Sequence, residues 1–317
     1  MKKFLKFFLY TLTGILLLCA IAIWVLYQPD IPVSALKSKY TNDASQFVEI
    51  NGMQVHYRDE GIAADTIPLV LLHGTGASLL TWDACTAAWI KDHRVIRMDL
   101  PAFGLTGPAA DNDYSINAYV DLLHQFLQKL NVPQCYLAGN SLGGEIAFSF
   151  AAAYPDVVKK LILIDPAGYP IENASGSLAF TLGRTPLLKN LLTIITPLSI
   201  VRKSLEDVYG DKALVTDALV EQYRDMACRE GNRKALVVRL NSKQNSDSSI
   251  IKNIAAPTLI IWGDQDFLIP LNNAYKFQRD LPNNTLVIMK GIGHVPMEES
   301  PEKVIPLIKE FIGKVTF

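Results

Sequence analysis

A six-residue segment, Gly139-Asn140-Ser141-Leu142-Gly143-Gly144, separates an apolar run, Cys135 to Ala138, from a helix-forming stretch, Glu145 to Ala153. Strand, sharp turn and helix in that order constrain the fold more than any other feature of the chain. So tight a turn forces the backbone at Ser141 into a strained conformation, and side chains two positions before and after it would clash. The Ser141 hydroxyl is then aimed out of the end of a sheet. The helix behind it offers backbone N–H groups to a developing negative charge. Two glycines around a serine recur by chance; the flanking strand and helix give this pair its meaning.

Other segments extend the pattern. Phe47 to Asp59 reads as two short strands around Asn51-Gly52, a hairpin signal. Apolar runs follow at Pro68 to Leu72, Arg94 to Met98, Leu161 to Ile164, Pro257 to Trp262 and Thr285 to Met289. None alternates strictly, as expected of parallel strands covered on both faces. Between them, Ser115 to Leu130 carries Ile116, Tyr119, Val120, Leu123, Phe126, Leu127 and Leu130 on one helical face, with Ser115 placed to cap it. Alternating strands and helices predict an α/β fold, a mostly parallel sheet with helices on both faces and active groups at the strands' C-terminal ends. From Asp165 to Pro257 the alternation stops, and some of that stretch reads as helices inserted into the α/β core.

Chemistry-bearing residues fall where such a sheet would gather them. His73-Gly74-Thr75-Gly76 ends one strand, Asp264 and Asp266 end another, and His294 lies in the loop Gly291-Ile292-Gly293-His294 after the last. Serine, then acid, then histidine is the chain order of the α/β-hydrolase triad. With "LLHGTG", "DLPAFG", "GNSLGG", "WGDQDFLIP" and "GHVPMEESP" in register, the chain from about Phe47 onward resembles the serine-type α/β-hydrolases. Ala102 stands where that family often has glycine. The resemblance implies a core of residues 47–165 and 257–317, with a helical cap over 166–256.

Ser141 is the candidate nucleophile. A serine hydroxyl needs a base to take its proton, and His294 alone among the five histidines sits in a glycine-bounded loop able to reach it. His73 is read as supporting its loop; His56, His93 and His124 are read as structural. The resemblance places the triad acid at Asp266, with Asp165, at the end of the sixth strand, as the rival. The backbone N–H groups of Thr75 and Leu142 form the expected oxyanion hole, and Glu145 is a favourable charge in the first turn of its helix. No HExxH pair, cysteine–histidine cluster or phosphate-cradling loop points to a metal or cofactor.

The N-terminus obeys different rules. After Lys2, Lys3 and Lys6, residues Phe7 to Tyr27 carry no charge and would span about 32 Å as a helix, enough to cross a bilayer. Ala20-Ile21-Ala22 offers a signal-peptide cleavage site, but apolar residues run straight on through Leu26. The expectation is an uncleaved anchor over residues 1–27, its lysines cytoplasmic and the catalytic domain extracytoplasmic. Residues 28–46, with two prolines and many polar side chains, read as a linker. A formal net charge of −1 and the lack of a long basic run argue against a nucleic-acid partner.

A nucleophilic serine directs the reading to carboxylic ester hydrolysis through an acyl-serine intermediate. The anchor, the cap and Asp165-Pro-Ala-Gly168 resemble membrane-bound monoacylglycerol lipases, which implies a small-molecule or lipid monoester as substrate. The same motifs resemble carbon–carbon bond hydrolases of aromatic ring-cleavage products, whose carboxylate would call on Arg202, Arg224 or Arg229. A receptor that kept the hydrolase shape without its chemistry is the third reading.

Overall fold

The computed structural model describes residues 2–170, 181, 183–185, 189–242 and 247–313. Eight strands form one sheet: β1 (Ser45–Ile50), β2 (Met53–Gly61), β3 (Leu69–Leu72), β4 (Arg94–Met98), β5 (Cys135–Asn140), β6 (Val158–Ile164), β7 (Thr258–Gly263) and β8 (Asn284–Met289). Their spatial order is β1-β2-β4-β3-β5-β6-β7-β8. The first two strands are antiparallel and joined by Asn51-Gly52, both at positive φ, as a two-residue hairpin turn demands. From β4 to β8 neighbouring strands run parallel.

The central strands are apolar on both faces because both faces are covered. Along β6, Leu161 and Leu163 enter one core while Ile162 and Ile164 enter the other; along β7, Ile260 and Trp262 oppose Leu259 and Ile261. Of the helices named α1 (Lys2–Leu26), α2 (Val33–Tyr40), α3 (Asp83–Trp89), α4 (Ile116–Lys129) and α5 (Leu142–Ala153), α4 and α5 pack against the first core. The Ser115 side chain accepts from the Ala118 N–H and caps α4. Between β6 and β7 lie α6 (Leu198–Glu206), α7 (Asp217–Cys228) and α8 (Asn232–Asn241).

Residues 28–46 differ from the linker expectation. Pro32 occupies the N-cap of α2, where a proline is tolerated, and Val33, Leu36 and Tyr40 form an apolar edge. Leu36 is buried with Leu105 and Met226. The Ile31 N–H donates to Cys228 O and the Glu230 N–H to Ile31 O, while Lys39 and the Tyr40 hydroxyl bond Asp225. The segment is stitched onto α7 and the start of α8. Ahead of it, α1 is long and apolar enough to cross a membrane, and its Phe7 and Trp24 are exposed.

Candidate active site

The turn after β5 holds Ser141 at φ 55° and ψ −116°, a region that non-glycine residues rarely occupy. Its neighbours explain how that geometry survives. A Cβ on Gly139 would lie 2.1 Å from Gly143 O, and one on Gly143 would lie 2.4 Å from Leu72 O. Both obstacles are backbone and neither can yield. Gly143→Ala is therefore expected to destabilise the chain by about 3 kcal/mol, read as a lower denaturation midpoint at unchanged slope. The Ser141 N–H donates to Ile164 O, and Ser141 O accepts from the Ala167 N–H, so strand β6 fixes the turn from the side. The Asn140 amide adds bonds to Ile164 O and His294 O.

His294 Nδ1 lies 2.6 Å from Asp266 Oδ2, a hydrogen bond in which the carboxylate accepts. The other oxygen of Asp266 accepts from the Leu268 and Ile269 N–H groups. That leaves His294 Nε2 buried without a partner among the described residues, and Ser141 and His294 line one cavity of about 170 Å³. The cavity also takes in Gly74, Thr75 and, from the inserted helices, Ile200, Val201, Leu205 and Leu236. Thr75 N–H and Leu142 N–H make no hydrogen bond to the described residues, as an oxyanion hole requires.

Asp165, the rival acid, lies beside the pair rather than on the imidazole. One ligand atom each from Asp165, Asp266 and His294 falls within 4.8 Å of the others. Asp165 Oδ1 accepts from the Gly263 N–H, whereas Oδ2 is buried and accepts no hydrogen bond from the described residues. Burial, then the adjacent Asp266 carboxylate, pushes the Asp165 carboxyl well above the usual carboxylate range. A neutral acid there can donate its proton toward Asp266. These three groups are the one cluster among the described residues with metal-ligating types, but Nδ1 and Asp266 already close on each other at hydrogen-bond distance and leave no gap for a cation.

Supporting residues were less visible in the sequence. The Glu299 carboxylate accepts from the Gly293, Gly210 and Asp211 N–H groups, tying the histidine loop to the insertion, and the His294 N–H donates to Val208 O. Glu298, its carboxyl pushed up by burial, accepts from the Tyr209 and Tyr223 hydroxyls. The "GHVPMEESP" motif contains both glutamates, which was the available signal. His73 does hold its loop: Nδ1 bonds Gly74 O and Nε2 accepts from the Leu100 N–H, with burial lowering its pKa. His56 pairs with Asp99 at 2.7 Å, and Asp99 also accepts from the Leu79 and Leu105 N–H groups. Ala102 sits at φ 78°, the left-handed conformation that suits glycine.

None of the three arginines offered to a substrate carboxylate lines the Ser141 cavity. Arg202 bonds Val215 O and Asp217, Arg224 lies 3.6 Å from Asp225, and Arg229 donates to Glu230 O, Leu105 O and Thr106 O. Arg233, which the sequence reading passed over, lines the cavity instead.

Comparison with known proteins agrees with this architecture. The alpha/beta hydrolase family pattern matches residues 69–307. A 2-hydroxy-6-oxononadienedioate/2-hydroxy-6-oxononatrienedioate hydrolase of Paraburkholderia phymatum is 31% identical over 88% of this chain and 97% of its own length. Lipase 1 of Psychrobacter immobilis is 29% identical over 82% of this chain and 81% of its own. The crystal structure of a bacterial membrane phospholipase A superposes with a TM-score of 0.72 at 25% identity, covering 98% of each chain. A strained serine after β5, a histidine loop after β8 and a family match spanning both mean that this chain is a hydrolase and belongs to the alpha/beta hydrolase family.

Proposed function

We propose that the chain hydrolyses carboxylic esters, lipid-like monoesters above all, by nucleophilic attack of Ser141 and an acyl-serine intermediate. His294 Nε2 takes the hydroxyl proton and later returns it to the leaving alcohol, while Asp266 holds the imidazole tautomer. The tetrahedral oxyanion is received by the Thr75 and Leu142 N–H groups. Water then attacks the acyl-enzyme by the same route in reverse. The observation that carries this reading is the joint placement of Ser141 and the unpaired Nε2 of His294 on one largely aliphatic cavity.

Two features favour a lipid-like monoester. Ile200, Val201, Leu205 and Leu236 give an acyl chain apolar walls, and α1 would hold that cavity near a bilayer. We read α1 as an uncleaved anchor with Lys2, Lys3 and Lys6 on the cytoplasmic side and the hydrolase domain outside. The carbon–carbon hydrolase reading draws on relatives such as the Paraburkholderia hydrolase, but none of Arg202, Arg224 and Arg229, on which it would call for a substrate carboxylate, lines the Ser141 cavity. Fluorophosphonate labelling, followed by turnover of p-nitrophenyl esters, monoacylglycerols and a ring-cleavage dienone, tests the proposal. Labelling lost in Ser141→Ala with preferred ester turnover supports it; preferred dienone cleavage overturns it, and no labelling points to the receptor reading.

The docking of residues 28–40 changes how the anchor should be removed. A chain begun at Gln28 keeps Asp30, which bonds Arg233, and Ile31, which bonds the cap of α7. It is expected to be soluble and active. A chain begun at Ser34 leaves Arg233 without its counter-ion and should melt at least about 4 °C lower, by roughly 2 kcal/mol. Equal melting temperatures for the two chains would show that the docking contributes nothing.

A further inference from the structure

A second cavity of about 40 Å³ adjoins the first and shares Gly76, Ala77, Ala227, Arg233 and Leu236 with it. Its size admits more than one water-sized group. Ala102, Phe103, Gly104, Met226 and Asn232 complete the walls, so it lies beside the glycine loop that follows β3.

Two side chains here have polar atoms left over. The Arg233 guanidinium spends Nε and Nη2 on Asp30 Oδ1, at 3.1 and 2.5 Å, and Nη2 also donates to Gln28 O at 2.8 Å. Those bonds fix one edge of the planar fork on the segment before α2. The Nη1 edge, on the other side of the fork, is buried and donates to nothing among the described residues. Asn232 is similar: its Nδ2 donates to Gly104 O at 3.0 Å and Met226 O at 2.8 Å, while its buried Oδ1 accepts nothing from the described residues. Arg233 and Asn232, which both line the annex, thus each carry one polar atom without a partner among the described residues. Buried polar groups are almost always satisfied, and two such residues on the walls of one small cavity point to a common partner.

We infer that this annex is a hydroxyl-binding subsite that receives the polyol part of an ester substrate, such as the glycerol of a monoacylglycerol. The inference rests on the ester reading above and deepens it. A hydroxyl accepts from Arg233 Nη1 and donates to Asn232 Oδ1, which matches both orphans at once. A carboxylate does not: Asp30 already supplies the counter-charge to Arg233, and Asn232 Oδ1 would face a second acceptor. Acyl chain in the aliphatic cavity and hydroxyls in the annex give each end of a monoacylglycerol its own environment.

The test compares binding of 1-monodecanoylglycerol and ethyl decanoate to full-length Ser141→Ala protein in detergent, with and without Arg233→Lys. Lysine keeps a positive charge for Asp30 but loses the second edge of the fork. The glycerol ester is expected to bind at least about tenfold tighter than the ethyl ester, the yield of a hydrogen bond to a charged donor, and Arg233→Lys should cut that ratio to about twofold or less. Ala227→Val, which narrows the junction of the two cavities, should also reduce the ratio and covers the case of a misfolded Arg233→Lys. A ratio near one in the parent, or a ratio that survives both substitutions, overturns the subsite and leaves only a buried water there. Because binding is read without turnover, the two readings fail separately. A retained preference without ester hydrolysis sinks the hydrolase chemistry alone; hydrolysis without preference sinks the subsite alone.

Discussion

Ser141→Ala is expected to lower kcat roughly a million-fold on any ester the chain turns over, with His294→Ala close to it. The two side chains act as one unit, so removing both should cost little more than removing either. The strain at Ser141 is imposed by the surrounding backbone, not by its hydroxyl: Gly139 and Gly143 are packed against carbonyls, and Ser141 N–H and O are bonded to β6 and Ala167. Alanine should keep that conformation and the melting temperature. The loss then measures chemistry alone. His294 Nε2 makes no bond to Ser141 in the resting structure, and such contacts commonly tighten only when substrate is seated. Single-turnover assays with a p-nitrophenyl ester would check the loss, and a Ser141→Ala protein retaining a tenth of the wild-type rate would refute the assignment.

Much of this architecture could be read from the chain because burial on both faces leaves a plain mark. Residues 161–164 and 259–262 must be apolar throughout, since successive side chains serve opposite cores. The serine turn was legible for a similar reason: glycines at 139 and 143 answer to clashes between backbone atoms that no side chain could avoid. The helix at residues 33–40 left no such mark. Eight residues carry too little periodicity, and its buried face is defined by Leu105 and Met226, which lie far away in sequence. Arg233, and the inward turn of Glu299 within an otherwise legible motif, were hidden by the same limit. A charged residue in a helix usually faces solvent, and what turns these two inward is a partner from another segment: Asp30 for the first, Gly210 and Asp211 for the second. The choice between Asp165 and Asp266 depended on which carboxylate meets the imidazole, a distance that strand ends alone do not give.

Asp266→Asn should reduce kcat about ten-thousand-fold, whereas Asp165→Asn should cost less than about tenfold. Asp266 Oδ2 meets His294 Nδ1 at 2.6 Å, and an amide there permits the wrong tautomer and leaves the imidazolium without its counter-charge. Asp165 stands in a different state. Burial and the adjacent Asp266 push its carboxyl well above the usual carboxylate range, and asparagine imitates its protonated form: the amide carbonyl can still accept from Gly263 N–H, and the amide N–H can replace the acid proton. The pH dependence of stability separates this from a passive role. An acid whose pKa is raised by folding binds its proton more tightly in the native state than in the unfolded chain. From the ordinary carboxylate range up to the raised value, the native state therefore carries the extra proton, and stability falls as pH rises. The slope approaches about 1.4 kcal/mol per pH unit for one proton. Asp165→Asn has no proton to lose and should flatten that decline, most visibly toward alkaline pH. Urea denaturation of both proteins across that window would measure it. Parallel stability curves would mean that Asp165 is ionised in the folded chain, and a crippled Asp165→Asn enzyme with an active Asp266→Asn would exchange the two roles.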